Sequence, residues 1–447
     1  MAWYHESVFY HIYPLGLSGA PKKNAYGEPV HRLRDLLPWI SHIRSIGGTA
    51  LYIGPLFESV GHGYETTDYR KLDSRLGTNQ DLRDFVAACH DAGIRVVLDA
   101  VFNHTGRDFF AFRDVCEKRE QSPYQWWYCN VNFSGNNSFN DGFSYDTWGG
   151  YDLLAKLNLH HPDVRVYHLE TVRFWVREFD IDGLRLDTAD LLDFDFLREL
   201  RSLANGIKPD FWLMGEVIHG EYNRWVNDAM LHSVTDYALN KALWSGHNDR
   251  NYFEIAHTVQ RTLRMLGGQI NSLYTFADNH DVERVFTKLT DKAHLTPLYI
   301  LLFTLPGIPS VYYGSEFAID GVKYRGGSDD AIRPALKLSE LQPNACTELI
   351  STLAHVRADS GALAYGSYRE LLLRNRQYAF SRETADQEVI VAVNCDDSPA
   401  EFALRADYPR YEDALTSAKT NARDGMVYFT IPPSAGIILL SCEQKSS

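Results

Sequence analysis

The run Gly183-Leu184-Arg185-Leu186-Asp187 is a short apolar segment that ends in an acidic residue. In a β-strand, side chains two positions apart lie on the same face, so Arg185 and Asp187 are expected side by side. A neighbouring guanidinium lowers the pKa of a carboxyl group, so the run predicts an ionised Asp187, as a nucleophile requires. On its own, the same run also fits a buried structural ion pair.

Seven further apolar runs follow the same pattern, and amphipathic helical stretches separate most of them. The eight runs are Val8 to Tyr13, Thr49 to Ile53, Arg95 to Val101, Gly183 to Asp187, Phe211 to Glu216, Ser233 to Tyr237, Leu273 to Ala277 and Ser310 to Tyr313. Eight such repeats predict an α/β fold, a closed parallel (β/α)8 TIM barrel, rather than an open sheet.

One barrel helix is predicted in detail. The capping box Thr78-Asn79-Gln80-Asp81 precedes apolar residues at the spacing of a buried helix face, and Gly93 ends the helix. The most apolar segment, Leu295 to Tyr313, is interrupted by prolines, which favours a buried helix and a strand over a membrane span.

Four segments are predicted along the chain. Residues 1–102 and 156–362 form the catalytic barrel, and residues 103–155, rich in aromatic residues, Asn and Gly, form an inserted subdomain that acts as a lid after strand 3. Residues 363–447 alternate apolar runs with polar turns, which predicts a C-terminal antiparallel β-sandwich.

Composition narrows the classes of partner. The chain has 447 residues, a formal charge of -14 and no basic stripe, so neither a nucleic-acid partner nor a membrane is expected. The first residues lack a signal-peptide pattern, and six scattered cysteines show no metal-binding spacing. We therefore expect a cytoplasmic protein, with a mature secreted form as the alternative.

Polar residues gather where the predicted strands end. Asp99 and His104 follow the third strand, Asp187 ends the fourth, Glu216 ends the fifth, and His280 and Asp281 follow the seventh. Strand ends of a barrel converge on one rim, so Asp187, Glu216 and Asp281 are expected in one pocket. Glu216 follows an apolar run and has no basic neighbour in sequence, so we expect it to be the protonated acid that a retaining glycosidase needs beside an ionised one.

These motifs resemble those of the α-amylase family of glycoside hydrolases. Four of the family's motifs occur in order, at Asp99 to His104, Gly183 to Asp187, the strand end at Glu216, and Phe276 to Asp281, and two lesser segments, Lys156 to Asn158 and Pro309 to Glu316, also match. Lys156 to Asn158 is most similar to the neopullulanase and cyclomaltodextrinase group.

The resemblance implies a role for each matching residue. Asp187 would be the nucleophile, Glu216 the general acid/base, and Asp281 the carboxylate that grips sugar hydroxyls in the transition state. His104, Arg185 and His280 would line the same sugar subsite, Tyr64 would be an aromatic platform for the ring at the cleavage point, and Arg333 a distal substrate contact. Asp99 is expected to hold the loop that bears His104. Each aromatic or histidine residue alone also fits a structural role.

The sequence departs from the family at two positions, three and four residues after Asp187. Many amylases place Lys and His there to help a sugar subsite and a structural calcium, whereas this chain has Asp190 and Leu191. The chemistry is expected to need no cofactor, and structural calcium stays open.

Thr188, which directly follows the expected nucleophile, resembles the residue at that position in α-1,4-specific enzymes. The expected activity is hydrolysis of α-1,4, and in some cases α-1,6, bonds of maltooligosaccharides or cyclodextrins; the oligomeric state stays open.

Three other readings remain. A metallohydrolase would bind a metal through His104, Asp187, Glu216, His280 and Asp281, but no metal-binding motif supports it. A non-catalytic relative would serve as a binding subunit, although every expected acid is present. A transglycosylase or glucosyl isomerase would use the same covalent intermediate, and the sequence alone does not separate it from a hydrolase.

Overall fold

Eight parallel strands form a barrel in the computed structural model, which describes residues 2–324, 326 and 328–442. The strands are Phe9–Ile12 (β1), Ala50–Ile53 (β2), Arg95–Ala100 (β3), Gly183–Leu186 (β4), Trp212–Gly215 (β5), Ser233–Val234 (β6), Tyr274–Phe276 (β7) and Ile308–Tyr312 (β8). Their order in the sheet is β6-β5-β4-β3-β2-β1-β8-β7, and a parallel bridge from Thr235 to Tyr274 joins the two ends. Seven of the predicted apolar runs contain one of these strands, and the eighth, Ser310 to Tyr313, overlaps β8, which begins two residues earlier at Ile308; the predicted barrel is confirmed.

Helices surround the barrel and cover the outer faces of the strands. The longer ones are Leu37–Ser45, Asn79–Asp91, Pro162–Phe179, Phe194–Ile207, Tyr237–Asn248, Tyr252–Leu266, Leu295–Thr304 and Ala345–Ala358. Shorter ones are Trp3–Glu6, Pro14–Leu17, Arg32–Asp35, Val285–Lys288 and Gly361–Tyr365. The connection from β5 to β6 contains only the 3₁₀ turn Tyr222–Arg224 among its described residues.

The predicted capping box is present at the helix Asn79–Asp91. The backbone N–H of Thr78 donates to Asp81 Oδ2 at 2.7 Å, and the helix ends two residues before Gly93, whose φ is +74°. The apolar segment from Leu295 is a helix followed by β8, as predicted. Among the described residues, no helix combines the length and the apolar character that crossing a membrane requires.

The interior of the barrel is filled by aromatic and aliphatic side chains that alternate with outward-facing ones along each strand. Phe9 packs against Trp212 with ring centroids 4.9 Å apart, and Tyr52, Met214 and Tyr274 are buried beside them. These side chains fill the barrel interior, so a ligand can reach the barrel only at an end. The polar side chains described below lie at the carboxyl ends of the strands.

The long connection after β3 has little regular structure. The strand His104–Thr105 pairs with Ala155–Lys156, and between them lie the helix Phe110–Lys118 and the 3₁₀ turns Arg119–Gln121 and Gln125–Trp127. Upstream, the strands Phe57–Ser59 and Thr66–Leu72 form an antiparallel pair. The predicted domain limits stay predictions, and their first residue and residues 443–447 lie outside the described residues.

The predicted C-terminal sandwich is confirmed. Its strands are Ser367–Leu373 (β9), Gln377–Glu383 (β10), Glu388–Asn394 (β11), Ala400–Arg405 (β12), Arg410–Asp413 (β13), Lys419–Asn421 (β14), Met426–Ile431 (β15) and Ala435–Ser441 (β16). Six of them form a sheet in the order β9-β10-β11-β16-β13-β14, while β12 pairs with β15. A separate apolar core that includes Ile390, Phe402, Val427 and Leu439 lies between these two layers.

Candidate active site

The register of β4 and β5 brings Asp187 and Glu216 together. Leu186 pairs with Gly215, so the next residues leave the two strands side by side, and the Glu216 N–H donates to the Leu186 carbonyl at 2.9 Å. Both side chains are buried, each with 7% of its surface exposed. The two acids predicted from separate motifs therefore lie in one cleft.

Arg185 contacts both of these acids and a third. Its Nη1 donates to Asp187 Oδ1 at 2.8 Å, its Nη2 lies 2.8 Å from Glu216 Oε1, and its Nη1 also donates to Asp99 Oδ1 at 3.0 Å. Asp99 pairs with Arg185 in the register of β3 and β4, so it lies directly beside the arginine inside the barrel. One buried guanidinium therefore fixes three carboxylates.

Strand register was not visible in the sequence, and it changes the surroundings of two predicted residues. Glu216 has no basic neighbour in sequence, but Arg185 reaches it from the adjacent strand, and its expected protonation stays a prediction. Asp99 does not hold the His104 loop: it accepts from Arg185, from the Tyr52 hydroxyl at 2.7 Å and from the Tyr64 hydroxyl at 3.3 Å. The Tyr69 hydroxyl holds the loop instead, by donating to the carbonyls of Val101 and His104 at 2.7 and 3.1 Å.

The pKa expected for Asp187 is also wrong in direction. Burial raises the pKa of the Asp187 carboxyl well above its usual range, the Arg185 charge opposes this rise, and Glu216 and Asp99 add to it. The arginine does not dominate because three buried carboxylates share its single charge.

Thr188 connects the two acids. Its backbone N–H donates to Glu216 Oε2 at 3.1 Å, and its hydroxyl lies 3.4 Å from Asp187 Oδ2. The residue has φ 43° and ψ 48°, a left-handed conformation that is unfavourable for a β-branched side chain. Backbone strain is thus located between the two catalytic candidates.

Tyr237 is a site residue that the sequence did not reveal. Its hydroxyl donates to Glu216 Oε1 at 3.2 Å and accepts from Asn279 Nδ2 at 3.1 Å. Burial raises the pKa of Tyr237 well above its usual range, and Glu216 adds to the rise, so the hydroxyl keeps its proton. The only sequence signal was its position at the end of an apolar run, where Asp236 caps the helix that Tyr237 begins.

Asp281 lies between a histidine and an arginine. Its Oδ2 is 2.9 Å from His280 Nε2, and its Oδ1 accepts from Arg333 Nη2 at 2.9 Å. Burial raises the pKa of Asp281, but the His280 and Arg333 charges outweigh burial and hold the pKa well below its usual range. Arg333 also donates from Nε to the His280 carbonyl at 2.9 Å, so it supports Asp281 and His280 directly; its contact with substrate stays a prediction.

Tyr64 and His104 are the two remaining residues predicted to line the sugar subsite. The Tyr64 ring stacks on His280 with centroids 5.8 Å apart, and its hydroxyl also bonds to His280 Nε2. Burial lowers the pKa of His104 to about 3, so its imidazole is neutral, and its buried Nε2 has no hydrogen-bond partner among the described residues. The His104 ring lies 6.1 Å from that of Trp148, which stacks on the exposed Tyr151 of the inserted segment.

The side chains proposed for a metal do not converge on an ion. Within the described residues, the acidic and histidine side chains whose donor atoms meet at ion-binding spacing are Glu383, Glu388 and Asp407, in the C-terminal domain. At the barrel rim, Arg185 and Arg333 occupy the space between the acids. The metallohydrolase reading therefore lacks a site at His104, Asp187, Glu216, His280 and Asp281.

Comparison with known proteins gives consistent matches. Residues 32–360 match the family described as "Alpha amylase, catalytic domain". A cyclomaltodextrinase of Thermoanaerobacter pseudethanolicus is 30% identical, covering 98% of this chain and 78% of the relative. The structure of a cyclic α-maltosyl-(1→6)-maltose hydrolase from Arthrobacter globiformis has a TM-score of 0.83 at 25% identity, covering 99% of both chains. A debranching enzyme from Nostoc punctiforme has a TM-score of 0.83 at 27% identity, covering 98% of both chains.

Proposed function

Because this chain belongs to the α-amylase family, we propose that it is a retaining glycoside hydrolase that cleaves α-1,4 bonds of maltooligosaccharides and cyclodextrins. The observation that carries the proposal is the placement of Asp187 and Glu216 on adjacent nitrogens of Arg185. A retaining glycosidase needs two carboxyl groups beside one sugar carbon, one to attack and one to donate a proton.

The first step breaks the glycosidic bond. Asp187 attacks the anomeric carbon and forms an ester, while the Glu216 proton moves to the departing oxygen, which leaves as a sugar hydroxyl. The step requires the proton on Glu216 and an ionised Asp187, which Arg185 Nη1 holds at 2.8 Å.

The second step releases the sugar. Glu216, now ionised, takes a proton from water, the water oxygen bonds to the anomeric carbon, and the Asp187 ester breaks. Thr188 and Tyr237 donate hydrogen bonds to different oxygens of Glu216, so they hold its carboxyl plane in place through both proton transfers. Two inversions at the same carbon leave the α configuration unchanged.

The other predicted residues surround the reacting sugar in this proposal. Asp281, kept ionised by His280 and Arg333, accepts from ring hydroxyls as positive charge develops on the sugar. His104 is neutral, its buried Nε2 has no hydrogen-bond partner among the described residues, and it donates to a sugar hydroxyl. Tyr64 provides an apolar face for the ring.

The substrate class rests on the named relatives. One is a cyclomaltodextrinase, and two solved structures belong to enzymes named for maltosyl-(1→6)-maltose hydrolysis and for debranching. These names support an α-1,4 activity that extends to α-1,6 bonds. Transfer to a sugar hydroxyl instead of water is the second candidate, and the aromatic pair Trp148 and Tyr151 beside His104 favours it, because rings at a cleft entrance exclude water.

We propose that the chemistry needs no cofactor, because the two carboxyls supply both the nucleophile and the proton. Structural calcium stays open, because at the two positions where many amylases have Lys and His this chain offers the carboxylate of Asp190 and only the backbone carbonyl of Leu191. A cytoplasmic location is likewise proposed; in support, Cys89, Cys116, Cys129, Cys346 and Cys395 are free thiols.

Product analysis tests this function. Purified enzyme is incubated with maltotriose, a cyclodextrin, pullulan and panose, and the products are followed by chromatography and by proton NMR of the first anomer formed. We expect α-anomeric maltose or glucose from maltotriose and from the opened cyclodextrin. Products longer than the substrate at high concentration would support transfer, and an initial β anomer would contradict retention.

A further inference from the structure

His11 is a histidine of β1 that is only 2% exposed. It lies two residues after Phe9, so the two side chains share the inner face of the barrel. Phe9 packs against Trp212 in the apolar interior, and His11 occupies the next layer toward the carboxyl ends of the strands. In the sheet it pairs with Tyr52 of β2 and Tyr312 of β8. An imidazole therefore lies directly beneath the acids at the rim.

The His11 ring contacts two side chains that support the proposed site. It stacks on Tyr52 with centroids 4.2 Å apart, and it meets His280 at 5.0 Å with the two ring planes perpendicular. The Tyr52 hydroxyl donates to Asp99, and His280 lies against Asp281. His11 thus connects the part of the site that contains Asp99 with the part that contains Asp281.

Each of the two histidines has a buried ring nitrogen without a hydrogen-bond partner within residues 2–324, 326 and 328–442. These atoms are His11 Nε2 and His280 Nδ1. Buried polar atoms are nearly always hydrogen-bonded, because an unpaired one has lost its water without a replacement. An aliphatic side chain would fill the space of His11 without this cost, so packing alone does not account for an imidazole at this position.

The protonation of the two rings is complementary. The Nε2 of His280 lies 2.9 Å from Asp281 Oδ2 and donates to this ionised carboxylate, and the charged His280 ring carries a second proton on Nδ1. Burial lowers the pKa of His11 well below its usual range, the charges of His280 and Arg185 lower it further, and Asp281 opposes them. His11 is therefore neutral, and a neutral imidazole has one nitrogen that can accept a hydrogen bond.

We propose that His11 is a positioning residue whose Nε2 accepts a hydrogen bond from His280 Nδ1–H when a sugar is bound. The bond is not formed in the ligand-free structure, and hydrogen bonds of catalytic sites are often long before substrate binds and tighten in the complex. The inference rests on the proposed function, in which His280 and Asp281 act on the sugar.

This bond would fix the His280 ring from the side opposite to Asp281. One ring nitrogen of His280 then donates to the carboxylate and the other to His11, so the ring cannot turn away from Asp281. Asp281 acts as positive charge develops on the sugar, so we expect the contribution of His11 in kcat more than in KM.

A packing role for His11 is the competing explanation, because its ring also fills the space beside Tyr52. A residue that only packs would affect thermal stability, and its effect on activity would be independent of His280. A residue that acts through His280 would lose its effect when His280 is absent.

The test compares kcat and KM for maltotriose in wild type, His11→Gln and His11→Met. Glutamine and methionine have similar shapes, but only glutamine has an oxygen that can replace the accepting nitrogen. We expect kcat to fall about tenfold in His11→Met, with KM within about twofold of wild type, and to recover most of this loss in His11→Gln. His11→Leu is a second variant without an acceptor in case His11→Met does not fold.

His168→Met is the matched control. His168 is 1% exposed, neither of its ring nitrogens has a partner within the described residues, and it belongs to the helix Pro162–Phe179 outside the barrel strands. We expect a shift of the thermal unfolding midpoint in this variant but a kcat within about twofold of wild type.

A double-mutant cycle with His280→Gln completes the test. Adding His11→Met to His280→Gln should lower kcat/KM by less than about twofold, whereas the same substitution in wild type lowers it about tenfold. Equal losses in both backgrounds, or equal kcat values in His11→Met and His11→Gln, would overturn the proposal. Failure of the proposed function is a separate result, since wild type would then not cleave maltotriose.

Discussion

Arg185 Nη2 lies 2.8 Å from Glu216 Oε1, although 30 other residues separate the two along the chain. The neighbouring nitrogen of the same guanidinium holds Asp187 at 2.8 Å. A planar fork with two donors directed at two acids sets both their distance and their orientation. The geometry of the two proposed catalytic acids therefore depends on one buried arginine.

Arg185→Lys tests this dependence, because lysine keeps the positive charge but replaces the two guanidinium nitrogens that contact the acids with a single ammonium group. We expect kcat/KM on maltotriose to fall by about 100-fold or more, since misplacement of an acid by about 1 Å costs that much. Arg95→Lys is the control, because Arg95 also pairs with a buried carboxylate, that of Asp182, but is itself 50% exposed. Equal activity in Arg185→Lys and Arg95→Lys would show that the fork has no catalytic role.

The division of roles between Asp187 and Glu216 predicts different responses to the leaving group. A glycosyl fluoride loses fluoride without needing a proton, so a missing general acid matters less. Glu216→Gln should lose at least about 1,000-fold in turnover of maltotriose but recover much of it on maltosyl fluoride, whereas Asp187→Asn should stay inactive on both. Recovery in Asp187→Asn instead would reverse the assignment.

The raised pKa of Asp187 predicts a displaced acid limb in the pH profile. Burial raises this pKa, Arg185 opposes it, and Glu216 and Asp99 add to it, so activity is lost as pH falls through a value above that of an ordinary aspartate. Asp99→Asn removes one negative neighbour and lets Arg185 act more fully, which lowers the pKa of Asp187.

The kcat/KM acid limb of Asp99→Asn should therefore move to lower pH than that of wild type. The control is Asp195→Asn, because Asp195 is 66% exposed and pairs with Arg198 at the surface. A limb that stays in place, or moves to higher pH, would mean that Asp99 does not influence the ionisation of Asp187.

Most of the barrel could be predicted from sequence because buried parallel strands are continuous apolar runs. The run Gly183 to Asp187 and its counterparts mark the strands directly, and the capping box at Thr78 marks a helix start. The acids Asp187, Glu216 and Asp281 could be placed at one rim because strand ends converge in this fold.

Contacts that depend on register could not be predicted. Arg185 reaches Glu216 and Asp99 only because β3, β4 and β5 align in one particular register. Tyr237 reaches Glu216 from a helix start that resembled the end of a strand. A surface groove lined by the helices Tyr237–Asn248 and Tyr252–Leu266 and by β9 combines distant segments, so no single stretch of sequence contains it.

Arg333 supports Asp281 in the structure, whereas the sequence suggested a distal contact, and substrate length separates these two roles. Arg333→Gln removes a donor that lies 2.9 Å from Asp281 Oδ1 and another that lies 2.9 Å from the His280 carbonyl. We expect kcat/KM to fall about tenfold or more for maltotriose and by the same factor for maltoheptaose. A loss confined to maltoheptaose would restore the distal role.

The most direct test of the central claim is to trap the covalent intermediate. Glu216→Gln is mixed with maltosyl fluoride, which forms the ester without general acid help, while loss of the general base slows its hydrolysis. The protein is then quenched, digested and mapped by mass spectrometry. We predict that the peptide containing Asp187 gains the mass of one maltosyl group. The account would be contradicted if this mass were found on the peptide containing Glu216 or on any other peptide, or if the variant formed an inverted product without an adduct.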